Sequence, residues 1–147
     1  MEDRLNFDAR YLVGIDQVDR EHQQLFELAD KIYDCLAVDV IVPMNEIGVA
    51  ITELIDYTKI HFANEEVLMA EAGYPDLDEH RELHAYLITR IEDLEKSVML
   101  GEQLTPVDAY EFLCAWLGDH IQAKDRNFGA YVSGRAGHHS AQRLHPE

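Results

Sequence analysis

Five histidines and two acidic residues stand on what read as the inward faces of helices: His22; His61 with Glu65; His80 with His84; and His120 with Asp125. His61/Glu65 and His80/His84 are i, i+4 pairs, so each pair stacks on one helix face. His120 follows Trp116 and Leu117 by four and three residues, and at about 100° per residue it shares their face. A lone histidine on an apolar face is usually a hydrogen-bonded core residue, and a lone helical carboxylate is usually solvated. The joint pattern reads differently. Each expected helix contributes at least one of these histidines. Burying five imidazoles with two carboxylates is costly unless something pairs with them, and a bound metal would do so.

The ligand types select the metal. Nitrogen and carboxylate donors without a thiolate suit iron and argue against a structural zinc site. Seven side chains exceed the needs of one ion, so two ions are expected. If both carboxylates bridge, together with one solvent-derived oxygen, three histidines complete six-coordination at one iron. The other two histidines leave the second iron with one open position, which suits a single small diatomic molecule. The His120–Asp125 spacing needs a further device. Five residues rotate by about 140° in a straight α-helix. A local π-type widening, common at functional sites, would bring Asp125 round.

Four helices are expected to carry these residues. Residues 1–15 read as an irregular arm whose Leu5, Phe7, Tyr11, Leu12, Val13 and Ile15 are apolar enough to pack across the fold. A first helix starts at about Asp16 or Asp19, with Asp19 a plausible N-cap and His22 then at the third helical position. Val18, His22, Leu25, Phe26, Ala29, Ile32, Tyr33 and Leu36 form its inward stripe. After the connector 39–43, Pro43 suits the first position of a second helix. Ile47, Ile51, Leu54, Ile55, Thr58, His61, Phe62, Glu65, Leu68 and Met69 hold its period. Gly73 offers a C-cap and Pro75 blocks continuation. Asp76 with Glu79 reads as a capping box for a third helix, which ends near Gly101. Thr105-Pro106 with Asp108 opens a fourth, running through Trp116 and His120 toward Tyr131, weakened but not ended by Gly118 and Gly129. The expected fold is all-α: an antiparallel up-down-up-down four-helix bundle with an N-terminal arm, over residues 1–132. Residues 133–147, with His138 and His139, read as a disordered tail.

Composition narrows the function classes. A chain of 147 residues supports one compact domain. A formal net charge of −17 argues against nucleic acid and anionic lipid surfaces as partners. No apolar run approaches the roughly 20 residues of a membrane span, and Met-Glu-Asp-Arg at the start lacks the order of a signal peptide. Cys35 and Cys114 read as core thiols in a reducing, cytoplasmic setting.

The ligand pattern His22, His61-x-x-x-Glu65, His80-x-x-x-His84, His120-x-x-x-x-Asp125 resembles the hemerythrin family, specifically its single-domain bacterial members. Val13-Gly14-Ile15, Gly73-Tyr74-Pro75 and Trp116-Leu117 fit it as well, and the resemblance covers about residues 5–131. It implies a non-haem di-iron centre that binds O2 reversibly, with nitric oxide a further ligand and azide an inhibitor. By position, His80, His84 and His120 would hold the saturated iron, and His22 and His61 the O2-binding iron. Glu65, Asp125 and an oxo or hydroxo group would bridge the two. Phe62, Trp116, Leu117 and Ile121 would wall the O2 pocket. Two residues depart from the family pattern. Phe7 stands where a Trp is common, and Glu21 where Gln is frequent.

The leading function is O2 storage, delivery or scavenging rather than enzymatic turnover. One alternative is an O2, nitric oxide or redox sensor acting through a separate protein partner. Another is a di-iron enzyme with weak oxidase or peroxidase activity. Ferritin-like di-iron enzymes use Glu-x-x-His pairs, and none of the eight histidines here has Glu three residues before it.

Overall fold

The structure, a computed structural model, describes residues 7–37, 44–100 and 106–138. Among these residues the regular structure is entirely helical. α1 spans Asp16–Ala37, α2 Met44–Ala72, α3 Leu77–Met99 and α4 Pro106–His120. A π-helical turn over Ile121–Asp125 joins α4 directly to α5, Arg126–His138. Each long helix packs against the next, and α4 closes the ring against α1. This is the expected four-helix bundle.

The inward stripes follow the expected period. Val18, Leu25, Phe26, Ala29 and Ile32 of α1 are buried with Ile47, Ile51, Leu54 and Ile55 of α2. Leu87 and Ile91 of α3 and Tyr110, Leu113, Trp116 and Leu117 of α4 complete this core. A second, smaller cluster of Met69, Tyr74 and Phe128 packs where α2 turns into α3. That turn is a Schellman closure. Gly73 takes φ +68°, its N–H donates to the Ala70 carbonyl, and the Tyr74 N–H donates to the Met69 carbonyl. Asp76 then holds the N-cap position of α3, its carbonyl accepting from the His80 N–H at 3.0 Å.

The arm packs across the bundle, as its apolar residues suggested. Phe7 and Tyr11 meet the Phe26 ring at 5.3 and 4.8 Å between centroids. Leu12 is the exception and is exposed. Asp19 also plays a different part from the one expected. α1 already begins at Asp16, so Asp19 is not its cap. Its carboxylate accepts from the Val13 and Gly14 N–H groups at 2.8 and 3.2 Å, tying the arm to the helix, and His22 lies deeper in α1 than the third position. At the far side the arm crosses α5. A Cβ at Gly129 would run into the Val13 backbone carbonyl, and Arg126 donates to the Arg10 carbonyl.

α5 continues past Val132 to His138, beyond the boundary expected from the sequence. Leu5, Pro43, Gly101, Thr105 and 139–147 lie outside the described residues. Among the described residues no helix is long and apolar enough to cross a membrane.

Candidate metal centre

The seven side chains singled out by type and spacing converge in the middle of the bundle. His22 comes from α1, His61 and Glu65 from α2, His80 and His84 from α3, and His120 from the end of α4, with Asp125 closing the π turn. All are buried; Glu65, Asp125 and His22 are fully so. Their donor atoms fall into two groups, each with all members within 4.8 Å of one another. One group is His80, His84, His120, Glu65 and Asp125. The other is His22, His61, Glu65 and Asp125. Both carboxylates belong to both groups, and the histidines divide three against two.

The π turn brings the last of the seven side chains into the cluster. The Arg126 N–H reaches back to the Ile121 carbonyl, five residues earlier. The wider turn accommodates the extra residue, so Asp125 returns to the face of His120. Asp125 Oδ1 then lies 3.1 Å from both His120 Nε2 and His80 Nε2, and Oδ2 lies 2.9 Å from His22 Nε2. Glu65 Oε1 lies 3.2 Å from His80 Nε2 and 3.1 Å from His84 Nε2.

Despite these distances, many of the atoms have no aligned hydrogen-bond partner among the described residues. They include both ring nitrogens of His22 and His120, Nε2 of His61 and His84, both Glu65 oxygens and Asp125 Oδ2. Buried polar atoms left this way are costly. Lone pairs converging on shared points, instead of donors facing acceptors, are the arrangement that metal ligands adopt. The electrostatics agree. Burial alone would push His80 down, but its contacts with Asp125 and Glu65 raise it to about 9. His61 also rises, because the Glu21 hydrogen bond and the charges of Glu65 and Asp125 outweigh its burial. Asp125 falls well below the carboxylate range, its burial outweighed by His120, His22 and His80. The two carboxylates thus favour positive charge on His61 and His80, a demand that bound cations would also meet.

Two acidic residues back the histidines from outside. His61 Nδ1 lies 2.6 Å from Glu21 Oε1, and His84 Nδ1 lies 2.8 Å from Glu66 Oε2. In the sequence Glu21 stands out only as a departure from the family pattern, and Glu66 does not stand out. The available signal was position: each stands next to a ligand, on the flank that faces a neighbouring helix.

The four expected pocket residues are also buried. Phe62 lies flat on His84, with centroids 3.7 Å apart and planes 3° from parallel. It also meets His61, His120 and Trp116 at 5.9, 5.8 and 5.9 Å. Phe62 therefore touches rings of both ligand groups. Leu117 and Ile121 lie in the main core, each 1% exposed.

Fold and site together define a helical bundle built around a buried, histidine-rich cluster whose two donor groups could each hold a metal ion. Residues 13–132 match the family model described as the hemerythrin HHE cation binding domain. The chain belongs to the hemerythrin family. It is 31% identical over 120 residues to the bacteriohemerythrin of Stenotrophomonas maltophilia, covering 82% of this chain and 76% of that one. It is 31% identical over 125 residues to the bacteriohemerythrin of Methylococcus capsulatus, covering 85% and 93%. Among solved structures, a wild-type hemerythrin superimposes with a TM-score of 0.77 at 28% identity, covering 89% of this chain and 99% of that one.

Proposed function

We propose that this chain binds O2 reversibly at a non-haem di-iron centre held by His22, His61, Glu65, His80, His84, His120 and Asp125. The observation that carries this is the sharing of Glu65 and Asp125 between two ligand groups with unequal numbers of histidines. Bound iron would supply the redox-active site at which a diatomic molecule binds. The chain's own residues supply asymmetry, shelter and orientation. His80, His84 and His120 would hold one ion, whereas His22 and His61 would leave the other more open. Family membership supports a metal centre here, and an oxo or hydroxo group would complete it beside the two carboxylates.

Phe62, Trp116, Leu117 and Ile121 serve as an apolar wall that admits O2 and slows the entry of water and anions. Nitric oxide and azide are small enough to use the same position. Binding for storage, delivery or scavenging is assigned in preference to turnover. We place the chain in a cytoplasmic setting, in keeping with its having only two cysteines, Cys35 and Cys114.

Iron analysis and aerobic absorption on the reconstituted protein test this function. Two irons per chain and a visible spectrum that reverses on removing O2 are expected. One metal per chain after full reconstitution, or a colourless zinc protein, would overturn it.

A further inference from the structure

His61 has a closely backed outer nitrogen. Its Nε2 is buried in the two-histidine group, and its Nδ1 lies 2.6 Å from Glu21 Oε1. Glu21 reaches across from α1 and is itself oriented at Oε2 by two neutral amides, Asn64 at 2.9 Å and Gln17 at 3.1 Å. His84, in the three-histidine group, has a similar partner in Glu66 at 2.8 Å. The two backings differ in charge. Glu66 has the Arg81 guanidinium 3.6 Å from its other oxygen and its side chain is 25% exposed, against 12% for Glu21. Nδ1 of His22 and of His120 has no hydrogen-bond partner among the described residues.

A carboxylate accepting from Nδ1–H fixes the ring's orientation, leaves Nε2 free to ligate and makes it a stronger donor. Neutral amides orient Glu21 without cancelling its charge, whereas Arg81 and solvent draw on that of Glu66. We infer that Glu21 is a positioning residue that strengthens His61 as a donor, compensating the two-histidine group for the ligand it lacks. This inference rests on the metal-binding reading of the site. Glu21 stabilises the more oxidised ion in that group, and Glu66 does less for the other. Gln17 and Asn64, with no ligand role, belong to the same device because they aim Glu21.

The test compares the parent chain with Glu21→Gln and Glu66→Gln. Gln keeps an acceptor oxygen and removes the charge. The metal-free full-length proteins are titrated anaerobically with Co(II) and read by visible absorption. Their thermal unfolding is measured alongside, as is the reduction potential of the iron-loaded forms. The parent should take up two Co(II). Glu21→Gln should also take up two, one of them 10–100-fold more weakly and the other as in the parent. Its iron-loaded form should have a higher potential, by about 59 mV for each tenfold loss of preference for the oxidised ion. Glu66→Gln should shift both quantities less, and both metal-free variants should remain folded at the temperature of the titration.

Parental affinities and potential in Glu21→Gln would overturn the inference. So would an equal or larger effect from Glu66→Gln. Equal weakening of both ions with lowered metal-free stability would make Glu21 a structural residue and overturn it too. Fewer than two Co(II) in the parent would instead sink the metal-binding reading beneath it.

Discussion

His120 Nε2 and Asp125 Oδ1 meet at 3.1 Å although five residues separate them, because a π turn fills the interval. Asp125 belongs to both ligand groups, whereas His22 and His61 belong to one. Replacing Asp125 with Ala should therefore weaken both irons, while His22→Ala or His61→Ala should release one first. Elemental analysis after reconstitution should give two irons for the parent, about one for either histidine variant and less for Asp125→Ala. Two irons and parental O2 binding in all three variants would remove these residues from the site.

Leu117 stands three residues before His120 and is 1% exposed. As a lid it should slow the entry of water and anions. Leu117→Ala should then autoxidise faster and bind azide faster at unchanged iron content. As a packing residue alone, its truncation would cost about 2–5 kcal/mol of stability and leave those rates alone. Stopped-flow azide binding, autoxidation and thermal unfolding on this variant separate the two roles.

The two glycines of the fourth helical run should respond oppositely to alanine. At Gly129 an added Cβ drives into the Val13 backbone carbonyl, which has little freedom to move. Gly129→Ala should cost about 1–3 kcal/mol and loosen the arm, seen as faster amide exchange at Val13 and Gly14. At Gly118 the nearest atom to a new Cβ is the Tyr11 hydroxyl at 3.9 Å, an ordinary contact. Gly118→Ala should gain up to about 1 kcal/mol from helix propensity. Denaturant unfolding measures both, and a stabilised Gly129→Ala would disprove the close crossing.

Tyr74 should titrate late. Burial first, then the charges of Asp76, Asp125, Glu65 and Glu79, push its hydroxyl up to about 12. The folded chain thus holds this proton more tightly than the unfolded chain does. Its contribution to stability is complete below about pH 10 and is lost as pH rises through 12. Ultraviolet titration of the metal-free protein should show tyrosine ionisation extending up to about pH 12, and Tyr74→Phe should remove part of that late step. An unchanged titration in Tyr74→Phe would refute the assignment.

The bundle and the gathering of the seven side chains were legible because both rest on periodicity. Inward positions recur every three or four residues, and His61/Glu65 and His80/His84 sit in that rhythm. Even the break in rhythm was readable: the extra residue between His120 and Asp125 demanded a wider turn, and one is there. Contacts made across the fold were harder to read. Asp19 looks like a helix cap in isolation, but its two partners are set by the path of the arm. Gly129 looks like a weak point in a helix until Val13 is laid over it. Glu66 differs little from other surface acids of α2 until α3 presents His84 Nδ1 to it. Leu12 alternates with the buried Tyr11 and Val13, an extended-chain pattern that composition alone does not reveal.

The crossing of the arm over α5 bears on how the protein matures. Arg10 and Arg126, joined through the Arg10 carbonyl, are 116 residues apart in sequence, and Arg126 directly follows the final ligand. As the chain leaves the ribosome, His22, His61, Glu65, His80 and His84 emerge well before Asp125 and its seat exist. A contact of such long sequence separation forms late. Iron should therefore enter a finished, arm-docked bundle after synthesis, instead of templating the fold from its first helices.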